Sequence, residues 1–343
     1  MNNILIKGDN IVAMKWLLAN GYREKIDLVY IDPPFATGGT FGVDNSGRVA
    51  TISKSNDAKL AYSDTLVGKE FIDFLRSRII LIKELLSNEG SLYLHIDYKI
   101  GHYVKVMLDE VFGIENFRND ITRIKCNPKN FKRVAYGNIK DMILFYTKSD
   151  KPIWNHPTFS RSEKDVAKLY SKIDANGRRY TTVPIHAPGE TVDSETSRPF
   201  KGIYPPKGRH WRCSVEKLEQ LDAEGLIEWS ATGNPRKINY ADEHLEKKAQ
   251  DIWDFKDPTN PVYPTEKNLD MLKFIIEASS KPNSIVMDCF CGSGSTLYAA
   301  EQCSRQWIGI DQSEVAIMTV KKRFEKDADL FANEFKYHYY EMP

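Results

Sequence analysis

Three observations predict a doubly wound α/β fold. Short, near-continuous apolar runs recur along the chain, as expected of strands buried on both faces of a parallel sheet. Amphipathic helical stretches alternate with them, the signature of βαβ units. Several of the runs end on an aspartate, and one, "IVMDCFCGSGST", passes through two glycines into a helix.

The elements follow in order. "NILIKGD" reads as a strand, and Ile11, Met14, Leu17 and Leu18 then mark one side of a helix that Gly21 closes. "IDLVYID" is a buried strand that ends on Asp32, followed by "PPF" and a Gly/Ser-rich stretch over 37–57 with the composition of a mobile loop. "FIDFLRSRIILIKELLSNEG" predicts an amphipathic helix stopped at Asn-Glu-Gly, with "SLYLHID" as the next strand. The helix "GHYVKVMLDEVFG" leads to the strand "MILFYTK". Periodic apolar runs then become sparse while Pro, Gly, Asn and charged residues accumulate. The α/β pattern resumes near Tyr263 with "NLDMLKFIIEASS", "SIVMDCF", "STLYAAEQC", "WIGID" and "SEVAIMTVKKRFEK". One α/β domain is thus written in two pieces, 1–150 and 263–343, around a different module over 151–262.

At 343 residues the chain can bury a substantial core. No apolar run has the length of a membrane span and the N-terminus lacks a signal-peptide core, so a cytoplasmic protein is expected. The five cysteines are odd in number and form no CxxC pair, which argues against a disulfide framework or a zinc ribbon; no metal site is expected. A net charge of +1 announces no polyanionic partner, and the local distribution is more informative. Arg123 to Lys140 carries Arg123, Lys125, Lys129, Lys132, Arg133 and Lys140 with no acid among them, and Lys201, Lys207, Arg209, His210 and Arg212 surround Trp211. Basic stretches interleaved with aromatics are a footprint of nucleic-acid binding.

Two stretches carry chemistry. In "DCFCGSGST", Gly292 and Gly294 permit close backbone approach to a ligand at the carboxyl end of a strand, and Asp311 ends the next strand where an acid can grip ribose hydroxyls. The dinucleotide fingerprint is not met, because its third glycine falls on Leu297. A carboxylate at Asp288, just before the turn, suits a cationic group such as the amino and sulfonium centres of S-adenosylmethionine better than a pyrophosphate. In "DPPF", Pro33 and Pro34 fix φ and remove two N–H donors, leaving a surface of carbonyls and the Asp32 carboxylate beside Phe35. Such a patch matches an exocyclic amino group on a flat base. Asp32 and the Pro33 carbonyl accept its hydrogens, and Phe35 stacks on the extruded ring, a contact worth about 1–3 kcal/mol. That offsets part of a flipping cost of a few kcal/mol.

These motifs, in this order, resemble the β-class DNA amino-methyltransferases, in which circular permutation puts the catalytic motif ahead of the cofactor motif. "DPPF" (Asp32, Pro33, Pro34, Phe35) is similar to that family's catalytic motif, and "DCFCGSGST" to its FxGxG loop, with Cys289 in place of the usual proline. "YPTEKNLDMLKFIIEASS" resembles its HPTQKP segment and helix, with Tyr263 for His and Asn268 for the second Pro; "GDN" at Gly8 to Asn10 resembles its N-terminal motif. "GRHWRCSVEKLEQLDAEGLIEW" resembles a segment of its target-recognition region.

The resemblance implies a Rossmann-like S-adenosylmethionine-dependent methyltransferase fold that is doubly wound, mostly parallel and permuted. It implies double-stranded DNA as substrate, base flipping, frequently a homodimer, and a restriction endonuclease as a possible companion. By it, Asp9 approaches the cofactor adenine and Asp311 the ribose, while Asp288, Phe290, Gly292, Ser293 and Gly294 shape the methionine side, with Thr265 and Lys267 nearby. Lys129, Lys132 and Arg133 would contact phosphates, and Arg209, Trp211 and Arg212 bases or phosphates, with a core role for Trp211 as the alternative. Asp at position 32 favours adenine N6 over cytosine N4, whose enzymes more often carry Ser there. Cytosine-C5 chemistry is disfavoured because no cysteine follows a proline. A nicotinamide-dependent oxidoreductase is the rival from another class, weakened by the missing third glycine.

Overall fold

The computed structural model describes residues 3–33, 40–43, 49–51, 59–63, 68–128, 134–258, 266–331 and 337–343. Its contacts divide the chain into two units, Met1–Pro157 with Gln250–Pro343, and Thr158–Ala249.

The first unit is built on a nine-stranded sheet. In chain order its strands are β1 (Asn3–Lys7), β2 (Ile26–Ile31), β3 (Leu86–Ile96), β4 (Phe117–Ile124), β5 (Lys140–Thr147), β6 (Ile252–Trp253), β7 (Ile285–Asp288), β8 (Gln306–Asp311) and β9 (Tyr337–Glu341). In space they lie β6-β4-β5-β3-β2-β7-β8-β1-β9. β5 is antiparallel to both its neighbours, and every other pair is parallel. The helices are α1 (Asn10–Ala19), α2 (Lys69–Leu85), α3 (Tyr98–Phe112), α4 (Leu269–Ser279), α5 (Ser295–Gln302) and α6 (Glu314–Phe331). α2 packs against α1 and α3, and α4 against α5.

The crossovers set the position of the site. From β2 the chain returns through α2 to β3 on one side, whereas from β7 it returns through α5 to β8 on the other. Right-handed connections therefore put α2 and α5 on opposite faces, and the chain order reverses between β2 and β7. Ligands of open α/β sheets bind at such a reversal, outside the carboxyl ends of the strands. β2 and β7 are mostly apolar because both faces are covered: Ile26, Leu28, Val29, Ile31, Val286 and Met287 are buried.

Some bounds differ from the sequence reading. The pattern predicts a helix through Gly90, but α2 stops at Leu85, and Leu86 is already extended and pairs with Ile26. The described parts of the 37–57 stretch are strands, not loop: Thr40–Val43 pairs antiparallel with Val49–Thr51 and Lys59–Ser63. The central segment predicted over 151–262 has contacts of its own only over Thr158–Ala249. Ile153 N donates to Glu89 O, Asn155 N to Ala278 O, and β6 extends the large sheet beside β4.

The second unit contains a four-stranded antiparallel sheet, Lys172–Ile173, Arg179–Pro184, Pro235–Tyr240 and Ile227–Trp229 in spatial order, and the helices Glu163–Leu169 and Val215–Ala223. Its small core gathers Ile185, Phe200, Trp211, Leu218, Leu221 and Ile227. Among the described residues, no helix is long and apolar enough to cross a membrane.

Candidate active site

Five parallel strands end on aspartates along one edge of the large sheet. In spatial order these are Asp97 after β3, Asp32 after β2, Asp288 at the end of β7, Asp311 at the end of β8, and Asp9 just past β1. Asp32 and Asp288 therefore stand on either side of the reversal.

Asp288 is the most deeply buried acid of the site (3% exposed). Burial pushes its carboxyl up to about 7, against hydrogen bonds from Thr296 and from the Phe290 backbone N–H at 3.0 Å. The turn that follows is left-handed at both glycines, with φ 48° at Gly292 and φ 75° at Gly294. A Cβ on Gly294 would lie 2.8 Å from Val320 Cγ2. Gly292 N donates to Asp311 Oδ2 at 2.9 Å and Ser313 N to Asp311 Oδ1 at 2.8 Å, so Asp311 ties the turn to the end of β8. Burial raises the Asp311 carboxyl pKa. Ser293 is buried, with its hydroxyl 3.2 Å from that of Ser295, and Phe290 packs beside Phe74 with ring centroids 6.2 Å apart.

Asp9 caps α1: its Oδ1 accepts from Ile11 N and Val12 N at 2.9 and 3.1 Å. Its other oxygen meets Arg78, a residue missed in the sequence reading. Arg78 is buried on the apolar stripe of α2 with Leu75, Ile79 and Ile82. It stacks over Phe74, donates Nε–H to Asn10 Oδ1 at 2.7 Å and reaches Asp9 Oδ2 at 3.5 Å. Asn10 in turn donates to the Cys289 carbonyl at 3.1 Å, so one guanidinium locks the end of β1 to the glycine turn. An arginine at a core position of an amphipathic helix was the available signal.

Asp32 has a different environment. Lys267 Nζ pairs with Asp32 Oδ2, and the two side chains are 9% and 15% exposed. Asp32 Oδ1 is fully buried and has no hydrogen-bond partner among the described residues. Lys267, grouped with the cofactor residues on resemblance, thus reaches the DPPF carboxylate. Its neighbours are anchored. Glu266 pairs with Arg323, whose Nη1 donates to Ser295 Oγ at 3.2 Å. Asn268 caps α4 by accepting from Met271 N and donates to Lys256 O.

Behind Asp32 runs a buried polar chain that sequence reading also missed. Tyr30 Oη lies 2.9 Å from His95 Nδ1, and His95 Nε2 lies 3.1 Å from Asp141 Oδ2. An ionised carboxylate only accepts, which assigns the proton to Nε2 and makes Tyr30 the donor to Nδ1. Burial lowers the His95 pKa and so favours the neutral ring this requires. Burial alone would raise the Asp141 pKa, but hydrogen bonds from His95 and Lys125 hold it well below the usual carboxylate range.

The proposed nucleic-acid contacts divide. Arg123, part of the basic run, has no exposed surface; it pairs with Asp141 and Asp257 and donates to the Phe255 carbonyl. Trp211, a candidate DNA contact, is corrected to core: it is 1% exposed among Phe200 and Leu218, and its indole N–H donates to Arg198 O at 2.9 Å. Arg209 and Arg212 are exposed on either side of His186, whose pKa is lowered by burial and by the two guanidinium groups. Pro34, Phe35, Lys129, Lys132, Arg133 and Thr265 lie outside the described residues. Among the described residues no group of His, Cys, Asp and Glu has the arrangement to hold a metal ion.

This fold is that of the S-adenosylmethionine-dependent DNA methyltransferases. It is shared with the TTHA0409 protein of Thermus thermophilus, solved with S-adenosyl-L-methionine (TM-score 0.51, 14% identity, 99% of both chains). The chain itself belongs to the N6/N4 DNA methyltransferase family, whose profile, described as DNA methylase, matches residues 26–322. It is 43% identical to the type II methyltransferase M.EcaI of Enterobacter cloacae over 328 residues, 94% of this chain and 69% of that one. It is 47% identical to M1.MboII of Moraxella bovis over 292 residues, 85% of this chain and 86% of that one. The Mod subunit of the type III enzyme EcoP15I of Escherichia coli is 23% identical, and this chain spans 55% of its length.

Proposed function

We propose that this DNA methyltransferase acts on the exocyclic N6 amino group of adenine at a specific sequence in double-stranded DNA, with S-adenosylmethionine as donor and the target base flipped out of the helix. The observation that carries the reading is Asp32: a carboxylate at the chain reversal whose buried Oδ1 has no donor among the described residues. A base amino group is such a donor.

The residues at the reversal suit the cofactor. The Asp288 carboxylate faces a glycine turn whose left-handed residues keep side chains away from it, and an acid there favours a cationic ligand. Asp288, Phe290, Gly292, Ser293 and Gly294 would hold the methionine end, and Asp311 and Asp9 the nucleoside. The cofactor supplies an electrophilic methyl group on a sulfonium. Asp32 Oδ1 and the Pro33 carbonyl accept the two amino hydrogens, so the nitrogen lone pair leaves conjugation with the ring and turns toward that methyl. The lone pair becomes the new N–C bond, and the electrons of the broken S–C bond remain on sulfur. The nitrogen then gives up one proton, which passes by way of Asp32 to water. The remaining assignments belong to the same reading: Pro34 and Phe35 complete the base pocket, and Thr265 lies on the cofactor side. Lys129, Lys132, Arg133, Arg209 and Arg212 meet DNA; the central unit recognises the target; a homodimer and a cognate restriction endonuclease are partners.

The test is digestion of unmethylated plasmid DNA to nucleosides after incubation with the chain and methyl-labelled cofactor. Label in N6-methyl-2′-deoxyadenosine, lost with Asp32→Ala, is expected. Label in N4-methyl-2′-deoxycytidine would overturn the choice of base, and undiminished transfer by Asp32→Ala would overturn the role of Asp32.

A further inference from the structure

We propose that Lys267 is a positioning residue for the catalytic carboxylate: it holds Asp32 Oδ2 and thereby presents Oδ1 as the acceptor for the target amino group. This rests on the reading of Asp32 given above, and it departs from the cofactor-side role that resemblance assigns to Lys267.

The geometry carries it in three ways. First, the pair is largely out of water, with Lys267 9% and Asp32 15% exposed, so the attraction is not screened as in a surface pair. Second, the lysine approaches from a fixed point. Its neighbour Glu266 is held through Arg323 to Ser295 at the start of α5, and Asn268 is held to Lys256 and to the first turn of α4. A short segment between two anchors thus spans from the glycine turn to the DPPF carboxylate. Third, the pairing is one-sided. Asp311 and Asp9 use both oxygens within the protein, whereas Asp32 uses one and its other, buried oxygen has no partner among the described residues. A scaffold ion pair gains nothing from a bare oxygen, whereas a carboxylate oriented for an incoming donor requires one.

The charge balance supports the same role. Asp288 and Asp311 share this edge with Asp32, and the charge on Asp32 is among the influences that raise the Asp288 pKa. The Lys267 ammonium offsets that crowding where Asp32 must remain an acceptor. As the amino nitrogen gains positive charge, Oδ1 receives its hydrogen while Lys267 stays on Oδ2 with its own protons. Lys267 thus touches the carboxylate and not the reacting atoms.

Lys267→Met and Lys267→Arg, beside wild type and Asp32→Ala, test this by two readouts. The first is the single-turnover rate of methyl transfer to unmethylated plasmid DNA at saturating cofactor. The second is the affinity for S-adenosylmethionine by titration calorimetry without DNA. A mis-set carboxylate costs about a hundredfold in rate, so Lys267→Met is expected to lose about that much while keeping wild-type cofactor affinity. Lys267→Arg, which restores a cation, is expected to recover about tenfold of the loss. If Lys267→Met instead weakens cofactor binding about tenfold or more and leaves the saturated rate intact, Lys267 is a cofactor ligand and the proposal is overturned. Wild-type rates in Lys267→Met also overturn it. Wild type that transfers no methyl, or Asp32→Ala that transfers at the wild-type rate, defeats the reading of Asp32 itself and this proposal with it.

Discussion

Gly294→Ala is the most telling single perturbation of the glycine turn, because two separable costs meet at one atom. The residue sits at φ 75°, ψ 22°, a left-handed conformation that costs an L side chain about 1–2 kcal/mol. The added methyl would also lie 2.8 Å from Val320 Cγ2 and 3.4 Å from its Cγ1, and Val320 is fully buried on α6. Overpacking of that kind costs about 1–3 kcal/mol, for a total of roughly 2–5 kcal/mol. Val320→Ala removes the opposing methyl groups at a cost of its own but empties the space that the new methyl needs. The double variant should therefore be less destabilised than the sum of the singles by about 1–3 kcal/mol, the steric share, while the backbone share persists. Hydrogen exchange in peptides from β7 and β8 reads the opening free energy of the larger unit without assuming that both units unfold together. Singles that add to within about 0.5 kcal/mol, or a Gly294→Ala protein as protected as wild type, would refute the reasoning.

Other parts of the site give three more tests. Arg78→Met keeps the apolar stem of a buried side chain but leaves Asn10 Oδ1 without its guanidinium donor and removes one of the donors to the Phe74 carbonyl, which keeps the Ser77 hydroxyl. It should cost about 2–4 kcal/mol by hydrogen exchange in α1 and β1 and loosen the glycine turn, whereas Asn10→Ala should cost less. Asp288, pushed up to about 7 mainly by burial, makes ligand affinity depend on pH. The folded state binds the extra proton, so this group's contribution to stability falls as pH rises from the ordinary carboxylate range to about 7 and is level above it. A cationic ligand selects the ionised form, so S-adenosylmethionine affinity should fall below about pH 7 by up to about tenfold per unit, with proton release on binding; Asp288→Asn should abolish the slope in calorimetry. Asp141 is held below its ordinary value by His95 and Lys125, so the stability it contributes is present above the usual carboxylate pKa and is lost as pH falls through the depressed one. Asp141→Asn should flatten the acid limb of the melting temperature and lower it at neutral pH, because Arg123 is left buried with only part of its partner set.

What could be read from the sequence was whatever is local. Apolar runs ending on aspartate marked β2, β7 and β8, and the Asn before "LDMLKF" stands as the cap of α4. Arg78 was equally visible as a cation on an apolar stripe, but its meaning depends on Asn10 and Cys289, which only the sheet order brings together. The basic run from Arg123 looked like one surface, yet alternation along β4 turns Arg123 inward to a carboxylate on β5. Composition cannot say which face of a strand a charge will take, and the acid that neutralises it lies on another strand. Trp211 shows the converse: flanked by exposed arginines, it supplies the core that a small unit with few other large apolar residues needs.

The five aspartates show where a strand-end motif stops being informative and geometry takes over. All five stand at the same kind of place, the carboxyl end of a parallel strand, where exposed N–H groups of the following turn or helix invite a carboxylate. Asp9 and Asp97 accept that invitation as caps of α1 and α3. Asp311 accepts it twice, from Gly292 and Ser313, and Asp288 accepts from Phe290 N while burial keeps its carboxyl near neutrality. Asp32 alone is followed by two prolines, which have no N–H to offer. The two residues that follow it thus offer its carboxylate no N–H, and among the described residues Lys267 takes one oxygen while the other has no partner. In the proposed reading the prolines of DPPF do more than stiffen a loop: by offering no N–H beside Asp32, they leave an acceptor for the substrate's amino group.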